Sequence, residues 1–327
     1  MTGHIAASSP LYVVTPSRDQ MLKDVREGLT QTPKQLSPKY FYDERGSRLF
    51  EEITRVPEYY LTRAERALLD RHIPHIIGEL RPRSLVELGA GSASKTRIIL
   101  DAMRASGAAD FYVPIDVSGD FLESAATLLR NEYPDTRISP VVSDITAPFD
   151  LPGLRHPVLF AFLGSTIGNF SRSQASAFLS YVRRLMNADD AFLLGADLKK
   201  DPEILNAAYN DAAGVTAEFN LNLLTRLNRE LGADFPVRDF AHRAYYSSEH
   251  SRIEMHVVAA RDLEVRIPGM ETVKLAKGET IRTEVSYKYD RDAVEGILRD
   301  SGMRLERWIT DEDHAFSLAL ARAAPIT

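Results

Sequence analysis

Five short apolar runs separated by stretches of helical spacing constrain what this chain can fold into more than any other feature. The runs are Ser84–Leu88, Phe111–Ile115, Ile138–Val142, Pro157–Leu163 and Ala191–Ala196. The first four stop at Gly89, Asp116, Ser143-Asp144 and Gly164. Between them, Ile98, Ile99, Leu100 and Met103, then Phe121, Leu122, Ala125, Leu128 and Leu129, fall at helical intervals. A further helix carries its own start signal. Ser171 and Gln174 form a capping box ahead of Phe178, Leu179, Val182, Leu185 and Met186. Strands that are apolar throughout need cover on both faces, which is the condition of a parallel sheet between two layers of helices.

The end of the chain differs. A helix over Asp292–Arg299 stops near Gly302, and the runs Arg304–Ile309 and Phe316–Ala321 follow closely enough to pair antiparallel. Five parallel strands closed by such a pair is the layout of the class I (Rossmann-like) methyltransferase sheet, an α/β fold; the likeness is one of fold alone. Between Lys200 and Tyr289 the rhythm breaks. Helical patterns around Leu205–Asn210 and Ala217–Leu231 give way to strand-like runs at Ile253–Val258 and Thr280–Tyr287. An insertion of about 90 residues is too long for a loop, so a second, α+β domain is expected there. A helix is expected at Met21–Leu29, and the first 60 or so residues should pack with the insertion over the open end of the sheet. The expected division is 64–199 with 289–327 for the sheet domain, and 11–63 with 200–288 for the second.

Composition excludes several classes of function. The chain has 327 residues and no cysteine, which removes disulfides, thiolate catalysis and cysteine metal sites together. A net charge of −6 argues against a nucleic-acid partner, which needs a basic face. Metal-ligand spacing among the eight histidines and the H-E-x-x-H pattern are both absent. The first 17 residues lack a charged segment followed by an apolar run, and no stretch nears the roughly 20 apolar residues of a membrane span. These features point to the cytosol, and without an apolar heptad the default expectation is a monomer.

The segment Glu87-Leu88-Gly89-Ala90-Gly91-Ser92-Ala93-Ser94-Lys95-Thr96 sits where a strand hands over to a helix. Glycines there let backbone approach a ligand, and the helix start offers free amides. A dinucleotide fingerprint would need a glycine at Ser94, and so would a P-loop, although Lys95-Thr96 suits phosphates. The acidic-x-G-x-G loop of methyltransferases is matched throughout. Asp116, ending the second strand, can accept from both ribose hydroxyls. Asp144, ending the third, is placed for an adenine amino group, with Ile145 beside the ring. Either aspartate alone is as readily a cap for the helix that follows.

The chain also resembles the histidine Nα-methyltransferases of ergothioneine biosynthesis. The likeness rests on Pro38–Asp43, Gly46–Phe50, Pro57–Arg63, Phe162–Asn169, Tyr209–Thr216, Ile253–Met255 and Thr283–Ser286, and it runs from about residue 20 to the C-terminus. It implies S-adenosyl-L-methionine as cofactor, held at Gly89, Lys95, Asp116, Asp144 and Ile145. It implies L-histidine as substrate, at Tyr59, Asn169, Tyr209, Glu284, Val285 and Ser286, with Tyr42, Phe50 and Gly164 in the pocket wall. It further implies three successive methylations, giving hercynine.

The residue types agree with these roles. Asn169 and Tyr209 can donate to a carboxylate without adding charge. Glu284 and Ser286, two apart on a strand, face one side and suit an imidazole. Met255 and Glu284 should favour histidine over tryptophan or tyrosine, since an indole leaves a buried carboxylate unpaired. His256 follows Met255 and should point to the opposite face. An activated methyl needs no strong general base, and Tyr42 can orient the amine. A sister enzyme acting on another amino acid and, more distantly, a P-loop-like phosphate-binding protein remain as alternatives.

Overall fold

The computed structural model describes residues 17–325; the parts of the expected division at 11–16 and 326–327, and residues 1–16 of the start read for a signal segment, lie outside them. The elements run α1 (Arg18–Leu29), β1 (Lys34–Gln35), α2 (Glu44–Ile53), α3 (Leu61–Leu80), β2 (Ser84–Leu88), α4 (Thr96–Ala105) and β3 (Phe111–Asp116). Next come α5 (Gly119–Glu132), β4 (Arg137–Ile138), β5 (Val141–Val142), β6 (Val158–Phe162), α6 (Arg172–Leu185), β7 (Ala191–Asp197), α7 (Pro202–Ala208) and α8 (Val215–Leu231). The rest are β8 (Phe240–Ser247), β9 (Arg252–Ala259), β10 (Leu263–Val265), β11 (Val273–Leu275), β12 (Thr280–Tyr287), α9 (Arg291–Asp300), β13 (Met303–Thr310) and β14 (Phe316–Ala323).

The large sheet has the order β13-β14-β7-β6-β2-β3-β4, with β5 also on β3. From β7 to β4 and β5 every pairing is parallel, while β14 lies antiparallel to both β7 and β13. This is the expected α/β layout. The third expected strand is broken, however. Ile138–Val142 forms two short pieces, β4 and β5, on either side of Ser139-Pro140, because Pro140 has no N–H for the ladder.

The strands are buried on both faces, and alternate residues feed two cores. Leu85, Tyr112, Leu159 and Leu193 pack toward α3 and α4; Val86, Val113, Phe160 and Phe192 pack toward α6 and α9. The capping box opens α6 as expected, with Ser171 accepting from the Gln174 amide and Gln174 reaching back to the Ser171 amide. The helix α3, on which no expectation fell, contains Pro74, and a proline ordinarily reads as a stop.

The insertion forms a second sheet, β1-β12-β9-β8. Residues before α3 do join it: β1 pairs parallel with β12, and the 3-10 turn Pro38–Phe41 sits against α8, with Phe41 stacked on Phe219 at 4.5 Å. One apolar cluster runs without a break from Leu159 and Leu193 to Phe219, Met255 and Ile281 beneath this sheet.

A buried glutamate, Glu65 of α3, locks the large sheet to the loop after β6. Its carboxylate reaches over Gly195 in β7, where a Cβ would lie 2.0 Å from Oε1. Gly195→Ala should therefore eject Glu65 and destabilise the fold by about 1–3 kcal/mol in urea unfolding. An unchanged midpoint would show that Glu65 moves aside without cost.

Candidate active site

The carboxyl ends of β2, β3, β5 and β6 open onto a cavity of about 370 Å³. Gly89 and Gly91 border it with φ of +72° and +52°, conformations that a side chain resists. Nothing lies within 4 Å of where a Gly91 Cβ would stand, so the backbone faces open space. The Gly91 amide donates to Asp116 Oδ2 at 2.9 Å, and the Ser118 amide to Oδ1 at 3.0 Å. Burial pushes the Asp116 carboxyl above its ordinary range, against the pull of those amides. Asp144 and Ile145 line the same cavity. Asp144 Oδ1 also accepts from the Thr146 amide at 2.9 Å, and Lys39 reaches Oδ2 at 3.2 Å while pairing with Asp24 at 2.8 Å. The local capping role of a strand-end aspartate is thus present alongside its place in the wall.

Lys95 also lines the cavity, but its charge is already matched. Its ammonium pairs with Glu65, whose two oxygens accept the Gly164 amide at 2.8 and 2.9 Å. A lysine neutralised inside the fold is poorly suited to grip a phosphate chain, which weakens the P-loop alternative. Glu87 sits beneath, accepting from Thr96 and from Tyr112 at 2.6 Å. Burial lifts its carboxyl to about 7 despite those bonds and Lys95.

A smaller inner cavity of about 50 Å³ shares Tyr42, Phe50, Tyr59, Gly164, Thr166 and Asn169 with the first. Its further walls include Tyr209, Met255, Glu284 and Ser286. Aromatic rings step around it edge to face: Tyr42 to Phe50 at 5.7 Å, Phe50 to Tyr59 at 6.4 Å, Tyr59 to Tyr209 at 6.3 Å. Among the described residues, the hydroxyls of Tyr42 and Tyr59, the amide of Asn169 and the carboxylate of Glu284 have no hydrogen-bond partner in the protein. Such a set of free polar groups in an aromatic wall is the mark of a binding site.

A β-bulge explains how Glu284 comes to face inward. Arg282 pairs with His256, but the next pair is Glu284 with Met255, so Thr283 is the extra residue. The bulge turns Glu284 and Ser286 onto the Met255 side and leaves Arg282 with His256 on the other. Val285, expected with Glu284 and Ser286 at the substrate, has its side chain on the opposite face by alternation and lines neither cavity. Burial raises the Glu284 carboxyl to about 7, and the nearby Lys288 charge only partly opposes this.

Behind Ser286 lies a buried polar network that the sequence reading missed. Tyr209 donates to Ser286 Oγ at 2.9 Å, and Lys288 donates to Ser286 at 2.9 Å and Tyr209 at 3.1 Å. Lys288 also pairs with Asp197 at 2.7 Å, and Asp197 accepts from Lys200 at 2.6 Å and Tyr60 at 2.7 Å. Two cues could have found it. Lys288 continues the two-residue step of Glu284 and Ser286, and Asp197 ends the fifth run as Asp116 ends the second. Since the Tyr209 hydrogen goes to Ser286, the Asn169 amide is the free donor of the two expected for a carboxylate.

Comparison with known proteins shows the family. The family described as histidine-specific methyltransferase, SAM-dependent, matches residues 21–323. A histidine N-alpha-methyltransferase of Mycobacterium tuberculosis (strain CDC 1551 / Oshkosh) is 44% identical over 302 residues, covering 91% of this chain and 94% of its own. One from Mycolicibacterium smegmatis is 42% identical over 313 residues, covering 95% and 97%. A solved S-adenosylmethionine-dependent methyltransferase from Clostridium acetobutylicum shares the fold at a TM-score of 0.50, with 10% identity, over 85% of this chain and 99% of that one. With a match spanning nearly every described element, this chain belongs to the histidine-specific, S-adenosylmethionine-dependent methyltransferase family.

Proposed function

We propose that the chain methylates the α-amino nitrogen of L-histidine three times in succession, making Nα,Nα,Nα-trimethylhistidine (hercynine) for ergothioneine biosynthesis. One observation carries the reading: Glu284, a carboxylate without a protein donor, stands beside the Ser286 hydroxyl in the inner cavity. That pair complements the N–H and lone pair of an imidazole. The relatives named for this activity, at 42–44% identity, support it. No helix among the described residues is long and apolar enough to cross a membrane.

S-adenosylmethionine supplies, when bound, a methyl group already activated on a sulfonium. The residues present suit it. The larger cavity offers open backbone at Gly91 and carboxylates at Asp116 and Asp144 for hydroxyl and amino donors. Gly89, Lys95, Asp116, Asp144 and Ile145 are the proposed contacts. Toward the substrate, the Asn169 amide takes the carboxylate, and Tyr59 and Tyr209 close around the side chain. Tyr42 and Tyr59 are held as neutral phenols, since burial pushes both well above the ordinary tyrosine range. They orient the amine rather than deprotonate it. Orientation alone supplies several kcal/mol, roughly 7–11 in the best intramolecular cases. The surrounding aromatic faces suit a nitrogen that becomes a fixed cation.

We further propose that 64–199 with 289–327 form the cofactor half and 11–63 with 200–288 the substrate half, and that the protein works as a monomer.

Mass spectrometry of the purified protein with S-adenosylmethionine and each amino acid separately should show a gain of three methyl groups on histidine alone. Methylation of tryptophan or tyrosine instead would overturn the substrate, and a product that stops at one methyl would overturn the succession. Glu284→Ala should lower kcat/KM for histidine by about 100-fold or more.

A second expectation concerns pH. The Glu284 carboxyl stands at about 7 against an ordinary 4.5, so the folded state holds its proton more tightly than the unfolded state. That contribution to stability is complete below the unfolded value and is lost as pH rises through the folded one. Glu87, also at about 7, adds to the same slope. Without ligands, Glu284→Gln should therefore show a shallower fall in Tm than the native protein between about pH 5 and pH 8. Equal slopes would mean that Glu284 does not titrate in this window.

A further inference from the structure

We propose that Lys288 fixes the direction of the hydrogen bonds at Ser286, so that the site takes histidine as a neutral imidazole, with Ser286 donating to one ring nitrogen and Glu284 accepting from the other. The inference rests on the reading of the site given above.

Lys288 does not itself face the substrate. Its side chain has no solvent exposure; it forms an ion pair with Asp197 Oδ2 at 2.7 Å and donates hydrogen bonds to Ser286 Oγ at 2.9 Å and Tyr209 Oη at 3.1 Å. The consequence falls on Ser286. A serine hydroxyl has two acceptor sites and one hydrogen. Lys288 fills one acceptor site and Tyr209, at 2.9 Å, fills the other. What remains is the Ser286 hydrogen, and what remains for it to meet is the inner cavity. Ser286 can donate there and cannot accept.

Glu284 presents the converse. It shares the inner cavity with Ser286 and offers a carboxylate that no protein group satisfies. A ring with one N–H and one lone pair meets both walls. An imidazolium, with two N–H groups, sets one of them against the Ser286 hydrogen. The charge distribution acts in the same direction. Lys288 holds its ammonium against Ser286 and shares its counter-ion Asp197 with Lys200, on which Asp311 also acts. A second cation beside it is unfavourable, and the Glu284 charge is then free to take a neutral donor. The arrangement follows from the chain path. After the bulge at Thr283, a step of two places Glu284, Ser286 and Lys288 in sequence on one side, and the pairing of Leu198 with Tyr289 brings the end of β7, with Asp197, against them. Lys288 is thus a positioning residue that acts through Ser286.

Ring-labelled ¹⁵N-histidine, bound to the native protein together with S-adenosylhomocysteine, reads the ring state by NMR at about pH 8, above the value of about 7 to which burial lifts Glu284, so that an ionised carboxylate faces the ring. The expected spectrum has one protonated and one unprotonated ring nitrogen. Two protonated nitrogens would overturn the proposal. A complex that holds S-adenosylhomocysteine but no histidine would overturn the substrate assignment itself. The role of Lys288 is read from Lys288→Met, Ser286→Ala and the double variant, with S-adenosylhomocysteine binding as the check on folding. In Lys288→Met, Asp197 keeps Lys200 and Tyr60 as partners. Each single change should raise KM for histidine about tenfold with kcat nearly unchanged, and the double variant should lose no more than Ser286→Ala alone. Losses that multiply to about a hundredfold in the double variant would show that Lys288 does not act through Ser286.

Discussion

Asp197, a carboxylate with no access to solvent, is where the separate parts of this chain meet. It ends β7 of the parallel sheet, accepts from Tyr60 at the start of α3, and pairs with Lys200 at the entry to the insertion and Lys288 at its exit. Replacing a buried ion pair by apolar packing is often neutral or stabilising, so stability alone does not explain such a cluster. Its value is directional. An apolar plug at this junction would join the two sheets equally well, but it could not hold Ser286 and Tyr209 with their hydrogens aimed in fixed directions. The cost of burial is offset by a pocket wall whose donors and acceptors are set before a ligand arrives.

Much of the architecture is legible in the sequence because the parallel strands are apolar on both faces and their helices keep a clean period. What was not legible has physical causes. β8 lies at the edge of its sheet, and only Phe240 and Ala244 of its eight residues are buried, so it carries almost no apolar signal. The helix α3 hides behind Pro74, and β4 and β5 are divided by Pro140, which a count of apolar residues passes over.

The site divides in the same way. Gly89, Asp116 and Asp144 stand out because strand ends in a parallel sheet converge, so three separate positions of the chain report on one place. Glu65, Lys200 and Lys288 do not stand out, because a charged residue in a helix or at a strand end ordinarily reads as solvated surface. Only the tertiary contacts turn Glu65 into the partner of Lys95 and the Gly164 amide. Lys95 shows the converse. Its place after the glycine loop suggests an anion grip, yet the fold supplies its counter-charge from α3, some thirty residues upstream, at a distance no local pattern reveals.

The bulge at Thr283 shows how finely the substrate side depends on backbone register. Continued regular pairing from Arg282 opposite His256 would set Glu284 opposite Glu254, on the outer face, where Glu254 already binds Arg252 and His256. The carboxylate would then meet like charge, and Val285 would face the cavity. One extra residue reverses this, placing Glu284 across from Met255 and carrying Ser286 and Lys288 inward with it. The extra residue is itself held: Thr283 is fully buried and donates to Asn220 at 2.6 Å, and Asn220 in turn donates to the His256 carbonyl at 2.9 Å. The cofactor side can be built by the parallel sheet alone, from amides and carboxylates at its strand ends. Discrimination among amino acids needs a second sheet whose register is fixed to the residue, and a bulge pinned by a buried side-chain bond is a compact way to fix it.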